Sequence, residues 1–299
     1  MGLSLKAVFR SFQRQVMRWN FFWVTVAAVL SSTAPTRAII IGIDQFSIVR
    51  DGAPFFTDNF NDGMPPPSAP NFASGLAASY AVQGTIPGNA ESGGFLLLDS
   101  ANGELGINAA GIPRLTISAA LLTSGSTRLG VGNTFLETGL FNLTIPSGPL
   151  YSSYGITLRD PNQAVVLNVE FNQTTGIPDI ALRLQNFAAD TITTLGTRPL
   201  LPPVGADQIL LGLDRVSTAN DDVFGDFLYL KGGSLVGSGS FLTPALIFQN
   251  GEDFVRGVFD VSQAPVPESG SAWFFVPGIM LLLAIRRSRN TLGFQAAQK

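Results

Sequence analysis

The stretch VVLNVEF, residues 165–171, decides the fold class of this chain. Its odd-numbered residues are all apolar, whereas Asn168 and Glu170 stand between them at even positions. A two-residue apolar period is that of a β-strand with one face against a core and the other half-buried or solvated. The stretch therefore predicts a strand, and no segment of comparable length in the middle of the chain shows a helical period.

The same pattern recurs on both sides of this strand, at 114–123, 154–159, 209–214 and 227–230. Turn-forming clusters separate the runs, among them Lys231-Gly232-Gly233. Many short strands divided by glycine-rich turns are typical of a sandwich or jelly roll. We therefore expect residues 39–264 to form a single all-β domain, an antiparallel β-sandwich, with the proline-rich stretch 65–70 as a loop inside it.

Composition excludes several classes of function. The 299 residues include no cysteine and no histidine, and 45% are hydrophobic while 13% are charged. Without these two residue types the chain cannot form a disulfide, a Ser-His-Asp triad or a histidine zinc site. Residues 39–264 carry a net charge of −11 between two basic ends. Such an acidic middle argues against nucleic acid as a partner, because phosphates require a cationic surface.

The N-terminus has the order of a secretory signal. An apolar run, FFWVTVAAVL at 21–30, is followed by small residues up to Ala38, and four cations precede it: Lys6, Arg10, Arg14 and Arg18. This run is shorter than the roughly 20 residues that cross a bilayer. We predict that residues 1–38 form a signal helix and that signal peptidase cleaves after Ala38.

The C-terminus carries a second apolar segment. Residues 269–285 contain no charge over 17 positions, and Arg286, Arg287 and Arg289 follow at once. This length is at the lower limit for a transmembrane helix, and basic residues favour the cytoplasmic side. We predict a transmembrane helix with a cytoplasmic tail at 290–299. A plain single-span anchor is the alternative to a processed segment.

Val266-Pro267-Glu268, the apolar segment and the arginines together resemble the PEP-CTERM sorting signal of secreted bacterial proteins. The resemblance covers residues 265–289, with Ser269 where the family usually has a second proline. It implies transient insertion into the inner membrane and recognition of Pro267 and Glu268 by an exosortase-type membrane protease, in bacteria that make exopolysaccharide.

Three parts of the middle domain resemble secreted proteins with a concanavalin A-like lectin/glucanase jelly roll. They are DNFNDG at 58–63, ESGGFLLLD at 91–99 and the stretch 205–233. The resemblance implies a concanavalin A-like jelly roll between the signal helix and the transmembrane helix.

Acidic residues offer two candidate chemistries. Jelly-roll glucanases place carboxylates on one strand as Glu-x-Asp-x-x-Glu, but Glu170 lacks a partner at +2 or +5 and Glu91 stands alone. We interpret both as solvated, outward carboxylates. Oxygen-rich clusters at 58–62 and 220–222 either cap turns or bind calcium. We expect turns there, and Asp58 and Asp62 are the best calcium ligands if an ion binds.

These observations predict a protein without enzymatic activity or a required cofactor. The leading hypothesis is a structural or binding protein outside the cell, with polysaccharide as its partner. One alternative is a carbohydrate-binding module with exposed aromatic residues such as Phe55, Phe56, Tyr151 and Tyr154. A more remote alternative is a degenerate glycoside hydrolase.

Overall fold

The alternating apolar residues form strands throughout the described part of the chain. The structure, a computed structural model, describes residues 38–74, 78–107, 113–123, 128–146, 152–172, 175–249 and 251–264. These residues belong to one compact unit that runs from Ala38 to Pro265. That unit extends one residue beyond the predicted ectodomain at each end.

The described residues form nineteen strands and one 3-10 turn, Ser100–Asn102. The strands in chain order are β1 (Ile40–Arg50), β2 (Ala53–Asp58), β3 (Phe72–Ala73), β4 (Ala78–Gln83), β5 (Glu91–Ser92), β6 (Phe95–Asp99), β7 (Glu104–Ile107), β8 (Pro113–Thr123), β9 (Leu129–Gly130), β10 (Phe135–Asn142), β11 (Ser152–Arg159), β12 (Gln163–Asn172), β13 (Ile177–Asn186), β14 (Thr191–Pro199), β15 (Gln208–Arg215), β16 (Asp222–Lys231), β17 (Ser234–Ser240), β18 (Ala245–Leu246) and β19 (Phe254–Gln263).

Two antiparallel sheets account for all of these strands. The ten-stranded sheet has the order β17-β16-β15-β10-β1-β2-β3, with β6 also on β1, β5 on β6 and β18 on β16. The nine-stranded sheet has the order β14-β13-β12-β11-β19-β8-β4, with β7 on β8 and β9 on β19. The predicted all-β class and the antiparallel two-sheet architecture are therefore confirmed.

Apolar residues of the two sheets meet in one core. Phe46 of β1 lies 5.1 Å from Phe259 of β19, ring centroid to centroid, and this contact joins the sheets. Phe60 and Tyr80 each lie 5.7 Å from the same Phe259 ring. Edge-to-face rings at these distances stabilise a core beyond their buried area. The central strands are therefore fixed relative to one another.

The predicted strands and turns agree with the observed ones. Residues 165–171 lie within β12, and the predicted runs at 114–123, 154–159, 209–214 and 227–230 lie within β8, β11, β15 and β16. Gly232 and Gly233 form the β16–β17 hairpin turn with φ of 53° and 78°. Two consecutive positive φ values match the right-handed twist of paired strands and favour glycine. Residues 65–70 form part of the β2–β3 loop inside the single unit.

Candidate functional site

The outer face of the nine-stranded sheet is polar across its four central strands. Val169, Tyr154, Val261 and Ile117 point into the core, so the residues next to them point outward. The pairing register places the outward residues in one row across β12, β11, β19 and β8: Glu170, Ser153, Ser262 and Thr116. The next row contains Asn168, Gly155, Asp260 and Ser118. Sequence periodicity predicted the strands but not this face.

The side chains of this face bond to one another. Both guanidinium nitrogens at the end of Arg183 hold both carboxylate oxygens of Glu170. Asn168 Nδ2 donates to Glu170 Oε2 at 3.4 Å. The hydroxyls of Thr116 and Ser262 lie 3.0 Å apart. Such pairing is what buried polar groups require, because an unpaired one loses its hydration without compensation.

Asp260 belongs to the same face. Its Oδ2 accepts a hydrogen bond from Thr157 Oγ1 at 3.3 Å. Burial raises the pKa of Asp260 to about 6, although this hydrogen bond and the charge of Arg114 oppose the shift. The carboxyl therefore exchanges its proton in a mildly acidic range.

The interpretation of Glu170 and Glu91 as solvated carboxylates is wrong. Glu170 is only 2% exposed and Glu91 only 7%. Arg183 binds the first, and Gly63 N donates to Oε1 of the second at 2.8 Å. Asp179 of β13 stands directly opposite Glu170, which places the two carboxylates side by side on one sheet. Because Arg183 holds both oxygens of Glu170, that group is not poised as a free acid or base.

One end of the outer face carries exposed arginines stacked on phenylalanine rings. Arg159 of β11 lies directly opposite Arg256 of β19. The Arg159 guanidinium carbon is 4.8 Å from the centre of the Phe187 ring. The corresponding distances from Arg128 and Arg256 to the Phe254 ring are 4.1 and 5.9 Å. We call these five residues the arginine patch.

The strand register explains why the patch faces outward. Val255 of β19 pairs with Leu129 of β9, and both side chains are buried in the core. Their neighbours Arg128, Phe254 and Arg256 therefore point to the opposite side of the sheet. All three arginines of the patch are exposed. No sequence motif indicated this cluster, because Arg159 and Arg256 are brought together only by the β11–β19 pairing.

The aromatic residues predicted to be exposed are in the core. Phe55, Phe56 and Tyr154 are 4%, 1% and 0% exposed, and Tyr151 lies outside the described residues. Phe56 packs on Tyr80 at 5.9 Å between ring centres, and Tyr154 packs on Phe141 at 5.4 Å. The prediction that Phe55, Phe56 and Tyr154 are exposed for sugar stacking is therefore wrong.

The candidate calcium ligands hold turns. Asp58 Oδ1 accepts from Phe60 N at 3.1 Å, and Asp62 Oδ1 accepts from Met64 N at 2.9 Å. Bonds from a side chain to the backbone two residues ahead are those of Asx turns. Tyr80 donates to Asp58 Oδ2 at 3.0 Å, and burial raises the pKa of Asp58 to about 6.

Within the part of the chain that the structure describes, no group of three or more acidic side chains is arranged to hold a metal ion. Calcium at Asp58 and Asp62 stays a prediction, whereas the turn bonds expected of these residues are present.

Of the predicted processing sites, only Ala38 belongs to the described residues. Ala38 is the first described residue, whereas Pro267, Glu268, Arg286, Arg287 and Arg289 lie outside the described ranges, as do the predicted signal and transmembrane helices. In the ranges that are described, no helix has the length and apolar character needed to cross a membrane.

Ile39, the residue after the predicted cut, is tied to the end of the domain. Its N–H group donates to Gln263 Oε1 at 2.8 Å and to Ser100 Oγ at 3.0 Å. Ser100 Oγ in turn donates to Gln263 Oε1 at 2.6 Å. Both partners are buried, so this network fixes the first residue of the domain beside its last strand.

Comparisons of the chain with protein-family models, with curated proteins and with solved structures find no match.

Proposed function

We propose that this chain is the precursor of an exported bacterial protein that is sorted through the cell envelope by its C-terminal segment. Its sandwich is then a concanavalin A-like jelly roll that acts outside the cell as a structural or binding protein of exopolysaccharide, without enzymatic activity. The contact between Ile39 and Gln263 is the observation that supports this proposal most directly.

This contact places Ile39 and Gln263, the residues at the two ends of the described domain, side by side. The predicted signal-peptidase cut precedes Ile39, and Pro267 follows Gln263 by four residues. If the chain enters and leaves the domain at the same end, the domain can fold fully while either flanking segment is still held at a membrane. It also presents its opposite end away from the membrane, as a surface protein requires.

The contacts of Glu170 argue against glycoside hydrolysis. Glu170 stands opposite Asp179 on the neighbouring strand, and Arg183 neutralises Glu170. Glycoside hydrolysis needs one carboxyl group that donates a proton and another that is free to attack or to activate water. A glycan-binding module remains the second candidate function, with polar and charged contacts instead of the buried aromatic residues.

Two measurements on the exported protein test the proposal. We expect N-terminal sequencing to begin at Ile39, and a start at Met1 in the exported fraction would contradict the signal peptide. Replacing Pro267 and Glu268 together with alanine is expected to leave the protein inserted and uncleaved in the inner membrane. A matched variant, Gly270→Ala with Ser271→Ala, alters the same region outside the motif and is expected to be released normally. If the Pro267 and Glu268 variant is released as efficiently as the parent, the segment is a plain anchor.

A further inference from the structure

The distribution of charge sets the arginine patch apart from the rest of the domain. Residues 39–264 contain nine cations and twenty acidic residues. Three of those nine cations nevertheless lie together at one end of one sheet face, as the arginines of the patch. In so acidic a domain, three clustered arginines make the electrostatic potential positive at one place on the surface, where an anionic partner would be attracted.

The clustering carries an energetic cost within the protein itself. Arg159 and Arg256 are directly opposite each other on adjacent strands, and like charges in this position destabilise a sheet. Among the described residues, none of the three arginine side chains forms an ion pair or a hydrogen bond, although the Arg128 carbonyl oxygen accepts from Arg50 Nη1 at 3.1 Å. The Phe187 and Phe254 rings hold the guanidinium groups in place, and a stacked guanidinium still directs its N–H groups outward.

Nearby carboxylates are engaged in holding the surrounding loops. Asp160 accepts from Asn162 N and Gln163 N, each at 2.7 Å. Asp51 accepts from Thr134 N at 2.9 Å and from a side-chain amide at 2.7 Å. Glu252, on the loop that leads into β19, accepts from Asn162 Nδ2. The exposed Asp253 forms no ion pair with the three arginines in the described part of the chain, so the repulsion between the arginines is left for an external anion to relieve.

We propose that the arginine patch binds the carboxylate groups of an acidic polysaccharide. The guanidinium plane offers two parallel N–H donors that match the two oxygens of a carboxylate. The class of polymer rests on the proposed function, whereas the anionic character of the ligand rests on the patch alone.

Charge density favours a sparsely charged glycan over nucleic acid. Duplex DNA carries about one negative charge per 1.7 Å, and the remaining surface of this acidic domain would repel it strongly. A uronic acid polymer carries at most one carboxylate per sugar, so its contact with three arginines brings few further charges near the acidic surface.

The patch lies at the far end of the domain from its chain termini. Strand β19 begins at Phe254, within the patch, and ends at Gln263, which binds Ile39. Arg256 and Gln263 are seven residues apart, which at about 3.3 Å per residue corresponds to about 23 Å. A domain held at its termini would thus present the patch outward, towards polymer in the surrounding matrix.

Binding of the full-length chain, purified in detergent, to polygalacturonate tests this proposal. We expect binding that weakens with added salt, and at least about a tenfold loss of affinity in Arg159→Gln with Arg256→Gln, since two charge-assisted contacts are removed. The control, Arg198→Gln with Lys231→Gln, removes the same charge at exposed positions outside the patch and is expected to change affinity less than about twofold. Arg159→Lys with Arg256→Lys keeps the charge but loses the planar fork, and an intermediate affinity is expected.

Several outcomes would overturn the proposal. Equal losses in the patch variant and the control would show that only net charge matters. Patch-dependent binding to phosphatidylglycerol vesicles or to duplex DNA, without binding to polygalacturonate, would assign the patch to another partner. Binding to neutral dextran that the patch variant leaves unchanged would refute the patch as the site while the proposed glycan-binding role survived. If the double variant does not fold, Arg128→Gln alone must still weaken binding.

Discussion

Two charged side chains lie wholly inside the sandwich, and they are held in opposite ways. Arg215 and Glu137 are both 0% exposed. Arg215 donates to the carbonyl oxygens of Val131, Asn133 and Asn220 at 2.7, 2.8 and 3.0 Å. Neither carboxylate oxygen of Glu137 has a hydrogen-bond partner of good geometry. Both terminal nitrogens of Arg215 therefore have acceptors, whereas its Nε and both oxygens of Glu137 have no partner.

The position of each residue in its strand explains the difference. Arg215 is the last residue of β15, where loops supply carbonyl groups that no strand uses. Glu137 lies in the middle of β10, where the neighbouring carbonyl and N–H groups already bond within the sheets. Burial holds the pKa of Glu137 well above its ordinary value, although the N–H groups of Val258 and Thr157 oppose the shift. Loops at a strand end can thus surround a buried charge with carbonyl groups, whereas a position in mid-sheet disfavours the ionised form of a carboxyl group.

Arg215→Met should be the most damaging change. It keeps the bulk of the side chain but removes three hydrogen bonds from a charged donor to carbonyl groups, for a loss of about 3–5 kcal/mol in the free energy of unfolding. Urea unfolding followed by far-ultraviolet circular dichroism measures this loss. Arg198→Met is the control, because Arg198 is exposed and makes one 3.5 Å bond to Ser240 O. Equal effects at the two positions would mean that the carbonyl bonds contribute nothing.

Gly257→Ala tests how the sandwich accommodates Glu137. A Cβ atom at Gly257 would lie 2.9 Å from Ile48 Cδ1 and 3.1 Å from both Glu137 Oε2 and Phe46 Cζ. Crowding of this kind in a packed core costs about 1–3 kcal/mol. The same measurement on Gly132→Ala is the control, since nothing lies within 4 Å of a Cβ there. An unchanged stability for Gly257→Ala would show that the space around Glu137 is not tightly filled.

Glu137→Gln should stabilise the protein at high pH. There the unfolded parent ionises this carboxyl group freely, whereas burial in the folded parent opposes its ionisation. Because burial raises the folded pKa of Glu137, its contribution to stability is full below the unfolded value of 4.5 and declines as pH rises towards the folded pKa. The variant lacks this decline, so we expect a gain of about 1–2 kcal/mol at pH 8 and almost none at pH 4.

Unfolding curves between pH 4 and 9 check this prediction. Asp58 and Asp260 also have pKa values raised to about 6, so both proteins lose stability together between about 4 and 6. The difference in the free energy of unfolding between the parent and Glu137→Gln must therefore persist above pH 7. Glu104→Gln, at an exposed position, is the control. A gain at pH 4 as large as that at pH 8 would rule out protonation of Glu137 as the cause.

Period-2 alternation predicted the strands because burial of one sheet face leaves a local signature, as in residues 165–171. Alternation gives no indication that Phe55 and Phe56, which are consecutive, are both buried. The β1–β2 register shifts between Ile48 and Val49, and a β-bulge of this kind lets two neighbouring residues face the same side. No property of the two phenylalanines by themselves indicates the bulge.

The polar outer face of the nine-stranded sheet and the arginine patch both depend on contacts between residues that are distant in the chain. Glu170 was predicted to be solvated because its own strand offers no partner, whereas Arg183 reaches it from β13. The arginine patch likewise exists because β11 pairs with β19 in one particular register. Register follows from packing of the whole sandwich, so the sequence of either strand does not contain it.

The smallest effect is expected from Asp221→Asn, which separates the two kinds of contact that Arg215 makes. Arg215 Nη2 lies 3.5 Å from Asp221 Oδ1, and the Asp221 side chain is 26% exposed. An ion pair that long and that accessible to water contributes little, and asparagine retains an oxygen at the same position. We expect a loss of about 0.5 kcal/mol or less in the free energy of unfolding. Raising the salt concentration should leave the parent equally stable for the same reason. A loss close to that of Arg215→Met would show that the carboxylate, and not the three carbonyl groups, keeps this guanidinium inside the protein.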